Sequence, residues 1–370
     1  MQSERLKRFR EYMEKNNLKV TVVIDPENQY YFTNFYAVVY SRPIITLIFL
    51  DRVEMIVPEL EKLHAQEESF AEKIYTYGEV PYFHNDAYTI LKKILLDISG
   101  RIGIEENRMP LSLFRAIFQK FSVIDVAPYI EKMRMIKDDE EIKLIKKAAY
   151  LADIGVKNSI EFAKEDITEL EIDAAGNHAI LREAGLKFPN FRLSLFAMSP
   201  SGSQRTPLPH VFSTSRKLRK GDIIIHSRQV SLNGYRAECE RTFFLRPLKK
   251  EHEEIFQVMI EAQKIAEKNV KDGIKAGEID LIARKIIEEN GYAQYFPHRT
   301  GHGVGLSVHE PPYIRFDSDT ILRENMVITI EPGIYIPQVG GFRHSDTLIV
   351  RKNRGEILTN ISRDLDYLAR

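Results

Sequence analysis

The sequence predicts a two-domain chain of mixed α/β class, and three observations carry that prediction. The chain has 370 residues, more than one ordinary domain holds. Its first part, roughly 130 residues, alternates short apolar runs with helical periodicity. The rest repeats one order twice: helix, helix, then antiparallel strands.

Taken in order, residues 4–16 put Leu6, Phe9 and Met13 on one helical face, with charge elsewhere. The apolar runs Val20–Ile24, Ile44–Leu50, Val53–Val57 and Ile102–Ile104 read as strands, with helical stretches near 86–98 and 110–121. No glycine loop here cradles a phosphate. The character changes at Met133–Glu141, so domains are expected at 1–133 and 134–370. Asp138 or Asp139 can cap a helix that runs to about 163, with acidic residues in its first turn. A second helix covers 168–185. Two strands follow, Asp222–Leu232 and Tyr235–Phe244, joined by Asn233-Gly234, a strong hairpin signal. Helices at 250–271 and 278–291 and strands at Met326–Ile336 and Phe342–Val350 then repeat the order.

Composition bounds the function. Lys plus Arg and Asp plus Glu balance at 53 each, which gives nucleic acid or an acidic membrane no electrostatic handle. Cys239 stands alone, so no internal disulfide forms and a reducing compartment is expected. The N-terminal residues carry no apolar signal core, and no run approaches the roughly 20 apolar residues of a membrane span. The expected location is the cytoplasm.

Chemistry concentrates late in the chain. Gly301, Gly303 and Gly305 let backbone approach closely, and His302 and His309 flank them seven apart. Glu331 sits just after the apolar run Val327–Ile330, where an acid is costly to bury without a partner. In a strand, alternate residues share a face. Arg236, Glu238 and Glu240 therefore point one way, as do Ser227 and Gln229, while Tyr235, Cys239 and Phe243 form an apolar opposite face. Arg236 among these carboxylates is a cation that could replace a metal's charge.

These stretches resemble a known superfamily. Gly301–Pro312 looks very like the prolidase and aminopeptidase P signature. Ile330–Tyr335 resembles the next motif, Pro209-His210 and Lys217–Asp222 resemble the segment before the metal strand, and Met133–Lys137 resembles the domain junction. The chain is thus identified as a member of the prolidase, aminopeptidase P and creatinase superfamily, also called M24. The resemblance implies an N-terminal creatinase-type α/β domain and a C-terminal pita-bread domain of two pseudo-twofold halves.

The superfamily's peptidases hold two ions with two aspartates, one histidine and two glutamates. Carried over, the histidine falls on His302, one glutamate on Glu331, and one aspartate on Glu238. The other aspartate falls on Ser227 and the other glutamate on Ser345. Serine hydroxyls neither neutralise nor bridge divalent ions at neutral pH. No metal pair is therefore expected. One zinc or manganese ion on Glu238, His302 and Glu331 is the alternative.

One branch, creatinase, cleaves a guanidino C–N bond without metal. Glu240-Arg241-Thr242 and Tyr40–Pro43 resemble its motifs. The resemblance implies His210 as acid–base group, Glu331 as a grip on a guanidinium, and Arg42 reaching a carboxylate in the partner's cleft of a homodimer. The departures are a glutamate at 238, an arginine at 236 and a serine at 345, with a prolidase-like Pro311-Pro312.

The leading expectation is a metal-independent hydrolase of a C–N bond in a small carboxylate-bearing amide, amidine or guanidino compound. Its catalytic groups would be His210, His309 and Glu240, and its substrate-binding groups Arg42, Arg236, Glu238, His302, Glu331 and Arg343. The alternatives are an Xaa-Pro dipeptidase or aminopeptidase with a degenerate single-metal site, and a non-catalytic pita-bread binding protein. No nucleic acid or membrane partner is expected.

Overall fold

The computed structural model describes residues 2–80 and 85–370 and divides into two compact units, 1–134 and 135–370.

The first unit opens with helix α1 (Gln2–Lys15), whose Leu6, Phe9 and Met13 are buried. Strand β1 (Leu18–Val23) leads into α2 (Pro26–Thr33), capped by the Asp25 carboxylate. Buried Glu105 accepts from the amides of Ile24 and Asp25 at the same turn, fixing the entry to the helix. Then come β2 (Ile45–Phe49), β3 (Val53–Pro58), α3 (Lys62–Glu68), β4 (Lys73–Tyr77), α4 (Ala87–Leu96) and β5 (Arg101–Ile104). A single α-turn, α5 (Leu111–Leu113), runs into a π-type turn at Phe114–Phe118, so 110–121 is not one regular helix. Strand β6 (Val123–Asp125) and helix α6 (Ala127–Met135) complete the order.

Six strands pair in the order β4-β3-β2-β1-β5-β6. Leu91 and Leu95 of α4 pack with Val20, Val22, Ile45 and Leu47 of the sheet. Fully burying each such side chain contributes roughly 1.5–3 kcal/mol. Strand β4 escapes sequence reading because it is an edge strand, only its last residue buried, with no apolar alternation.

In the second unit, α7 (Asp139–Phe162) begins at Asp138 with a complete capping box to Glu141. Thr168 and Glu171 do the same for α8 (Glu169–Lys187). Strand β7 (Leu193–Met198) precedes the hairpin of β8 (Ile223–Leu232) and β9 (Tyr235–Phe244). Asn233 and Gly234 both take positive φ, +46° and +82°, as the two-residue turn requires. The second half supplies α9 (Lys250–Asn269), α10 (Ala276–Glu289), β10 (Gly301–Gly303), β11 (Glu310–Ile314) and β12 (Val327–Ile330). After these come β13 (Gly333–Ile336), β14 (Gly340–Arg343), β15 (Ser345–Val350), β16 (Gly355–Ile357) and a last turn, α11 (Leu365–Leu368).

The main sheet runs β11-β10-β12-β15-β9-β8-β7, so the halves meet where β15 pairs with β9. Buried Arg241 of β9 and Asp346 of β15 bond across that seam at 2.8 Å. This is the pita-bread domain, its antiparallel sheet curled over one cleft. Two expected strands are each broken in two. Met326–Ile336 breaks at Glu331-Pro332, where the Glu331 amide turns aside to the Thr300 carbonyl and Pro332 has no N–H to continue the ladder. Phe342–Val350 breaks at His344, and β14 leaves the main sheet to pair with β13. Among the described residues no helix is long and apolar enough to cross a membrane.

Candidate active site

A cleft of about 800 Å³ opens in the second unit. Its floor comes from the β8–β9 hairpin, because alternation turns Ser227, Gln229, Arg236, Glu238 and Glu240 to that face. Register makes Glu240 the cross-strand partner of both Ser227 and Ser345, and Glu238 that of Gln229. Glu331 and Arg343 reach the floor from the two strand breaks, and His210 and His309 line the wall.

Three groups converge at and behind the floor. Glu238, His302 and Glu331 each offer a ligand atom, all within 4.8 Å of one another. His302 is fully buried and does not line the cleft; it acts on the cleft through Glu331. Its Nδ1 donates to the Gly303 carbonyl at 3.0 Å, which turns Nε2 toward the carboxylates. Nε2 lies 3.1 Å from Glu331 Oε1 as an ion pair and has no geometric hydrogen-bond partner. Burial disfavours a charged imidazole there, but the Glu331 and Glu238 charges outweigh it and raise the pKa to about 9. Burial likewise resists the charge on Glu331, and His302 overcomes it, holding the carboxylate below its ordinary range.

Glu238 is already engaged. Ser345 Oγ donates to one oxygen at 2.7 Å and Gln229 Nε2 to the other at 2.9 Å. Burial, with Glu331 nearby, pushes its pKa up. Next to it, Arg343 grips Glu240 at two points, Nε to Oε2 at 2.5 Å and Nη2 to Oε1 at 2.8 Å. The cation among the carboxylates is therefore Arg343 and not Arg236, whose Nε donates to the Leu306 carbonyl. The difference is one of reach: the strand break at His344 delivers Arg343 onto Glu240.

Sequence reasoning missed a second line of groups. Arg343 Nη1 donates to Tyr335 Oη at 3.2 Å, Tyr335 pairs with His298 Nε2 at 2.9 Å, and His298 Nδ1 donates to the Arg299 carbonyl at 2.7 Å. Burial lowers the His298 pKa to about 4, so its Nε2 accepts the tyrosine proton. His298 stands four residues before His302, a spacing that offered a signal.

The histidines do not form one set titrating together near neutrality. His302 is held charged. The His309 pKa is lowered to about 4, first by burial and then by the His302 charge, whose ring centroid lies 3.8 Å away. Arg299 Nη2 donates to His309 Nδ1 at 2.9 Å, so neutral His309 carries its proton on Nε2. His210 is exposed at the cleft wall. Arg42 belongs to the first unit, where it is exposed and bonded to Glu79 at 2.8 Å.

Two ions do not fit this floor. Ser227 and Ser345 add no charge, Ser345 spends its proton on Glu238, and the carboxylate between them is tied to a guanidinium. One ion fits by its donor set: one imidazole nitrogen without a hydrogen bond beside two carboxylates, its other nitrogen anchored to a backbone carbonyl.

Fold and site together define a hydrolase of the prolidase superfamily, and the chain belongs to metallopeptidase family M24, matched over residues 143–352. Residues 5–136 match the creatinase/prolidase N-terminal domain. The chain is 34% identical to an Xaa-Pro dipeptidase of Pyrococcus horikoshii over 98% of its own length and 99% of the relative's. A putative dipeptidase of Bacillus subtilis is 33% identical over 98% and 99%. The crystal structure of prolidase from Pyrococcus horikoshii superposes with a TM-score of 0.87 at 33% identity, covering 98% of this chain and 99% of that one.

Proposed function

We propose that this chain is a small-peptide hydrolase that cleaves Xaa-Pro dipeptides with at most one metal ion. The observation that carries the reading is the convergence of Glu238, His302 and Glu331 around one imidazole nitrogen without a hydrogen bond. The end-to-end likeness to Xaa-Pro dipeptidases supports the substrate class over the expected guanidino compound. An ion on this triad would supply Lewis acidity and a more acidic water. His210 serves as acid–base group at the wall. His309, neutral and protonated on Nε2, donates a hydrogen bond to substrate. The Arg343–Glu240 pair fixes the floor, and Arg236 offers a cation to the substrate carboxylate. Arg42 of a second copy in a homodimer would add another.

The test is to strip the enzyme with chelator, restore zinc, manganese or cobalt singly, and assay a panel of Xaa-Pro dipeptides beside creatine. Dipeptide turnover that needs one equivalent of metal supports the reading; no dipeptide turnover under any metal rejects it. A second reading, metal-free C–N hydrolysis, is favoured by one observation. Gln229 and Ser345 already satisfy the Glu238 oxygens by hydrogen bonds, and Arg343 already neutralises Glu240, so protein groups occupy the carboxylates that an ion would otherwise bind. Turnover of any panel member in excess chelator would select it.

A further inference from the structure

Behind the cleft, on the far face of β8, lies a buried polar chain that the chemistry above does not use. His226 and Arg228 alternate with Ser227 and Gln229, so they face away from the cleft. Arg228 Nε donates to His226 Nε2 at 3.2 Å. The imidazole is therefore neutral with its proton on Nδ1, which donates to Ser199 Oγ at 2.8 Å. Ser199 Oγ in turn donates to Asp173 Oδ1 at 2.6 Å. Arg228 Nη1 reaches Asn177 Oδ1 at 2.6 Å and Nη2 reaches Ser159 Oγ at 3.2 Å.

Room for this guanidinium is built in. A Cβ on Gly155 would lie 2.4 Å from Arg228 Cδ, and one on Gly176 2.3 Å from Nη2. A fully buried cation needs a compensating charge, and Asp173 supplies it through His226 and Ser199.

Asp173 is also tied to the segment that lines the cleft at His210. Ser199 and Ser213 bracket the segment that carries His210. The Ser199 amide donates to Ser213 Oγ at 2.7 Å, and the Ser199 hydroxyl donates to Asp173, so Ser199 joins the carboxylate to both ends of the segment. One turn earlier on the same face of α8, buried Glu169 accepts from Ser201 and Arg205 of that segment and from Thr214 just after it. Two buried carboxylates on α8 thus hold the loop, and Asp173 links it to the strand bearing Ser227.

We propose that Asp173 is a positioning residue for His210, acting through Ser199 and Ser213 with Arg228 as its counter-charge. This rests on His210 being the acid–base group. The experiment is a double-mutant cycle on the dipeptide turned over best, combining Asp173→Asn and Ser213→Ala each with His210→Ala. Each single change should lower kcat roughly 10-fold or more with KM near wild type, since small misplacements of a catalytic group are costly. Neither should lower kcat further in the His210→Ala background. Losses that add in that background would overturn the proposal. Ser213→Ala leaves the Asp173–Arg228 charges in place and carries the test if Asp173→Asn does not fold.

An independent readout is the 13C ring signal of His210 in histidine-labelled protein, assigned by its loss in His210→Ala. It should shift or broaden in Ser213→Ala; an unmoved signal overturns the proposal. If wild type turns over no dipeptide, the functional reading fails, and the ring signal alone decides this inference.

Discussion

Arg343 and Glu240 form a two-point ion pair on the cleft floor, both side chains buried, with Glu240 set between Ser227 and Ser345 in the sheet register. Removing one partner strands a buried charge, whereas removing both does not. Arg343→Met should therefore destabilise the protein by roughly 3–5 kcal/mol, and adding Glu240→Gln should restore much of that loss. Urea denaturation of the single and double variants measures it; equal instability of the two would count against the pair as described.

Metal content should not exceed one tightly held ion per chain. The donor set Glu238, His302 and Glu331 serves one ion, and Ser345 and Gln229 occupy Glu238 with hydrogen bonds. Elemental analysis after dialysis against zinc or manganese checks this. His302→Ala should abolish whatever binding is found, and two ions per chain would refute the donor count.

His210→Ala should cut kcat by at least about 10²-fold, the lower range for a positioned acid–base group. The fold should survive, because His210 is exposed on the cleft wall and not packed in the core. Full activity in a folded variant would move the acid–base role to His309.

Two buried histidines should make the second unit lose stability in acid through their own protonation. Burial holds His226 and His344 far below the ordinary histidine pKa of 6.5, so both stay neutral when folded. Unfolded, each takes a proton as pH falls through 6.5, and the unfolded state then binds more protons than the native one. The stability that these two histidines contribute at pH 7 is therefore lost progressively from about pH 6.5 downward. As pH falls across that interval, wild type should lose melting temperature relative to His344→Gln; parallel profiles would contradict the assignment.

If Arg42 serves a partner's cleft, two inactive variants should complement each other. Mixed dimers of Arg42→Ala and His210→Ala each hold one intact site, which returns about a quarter of wild-type activity after subunit exchange. No recovery, or a monomer by light scattering, would exclude the exchange.

Periodicity and turn chemistry alone located most of what is regular here. The helix start at Asp138 or Asp139, the Asn233-Gly234 hairpin and the alternation of Glu238 and Glu240 toward one face are local properties, legible residue by residue. The motifs around His302 and Glu331 likewise placed the cleft on the right strands. Edge strand β4 and the breaks at Pro332 and His344 were not legible, because their conformation is set by neighbours distant in sequence. The identity of the cation on Glu240, the opposite charge states of His302 and His309, and the Arg228–Asp173 chain depend on distances between separate elements. Those distances, and the burial that shifts each group's proton affinity, exist only once the halves close around the sheet, so only the tertiary structure decided them.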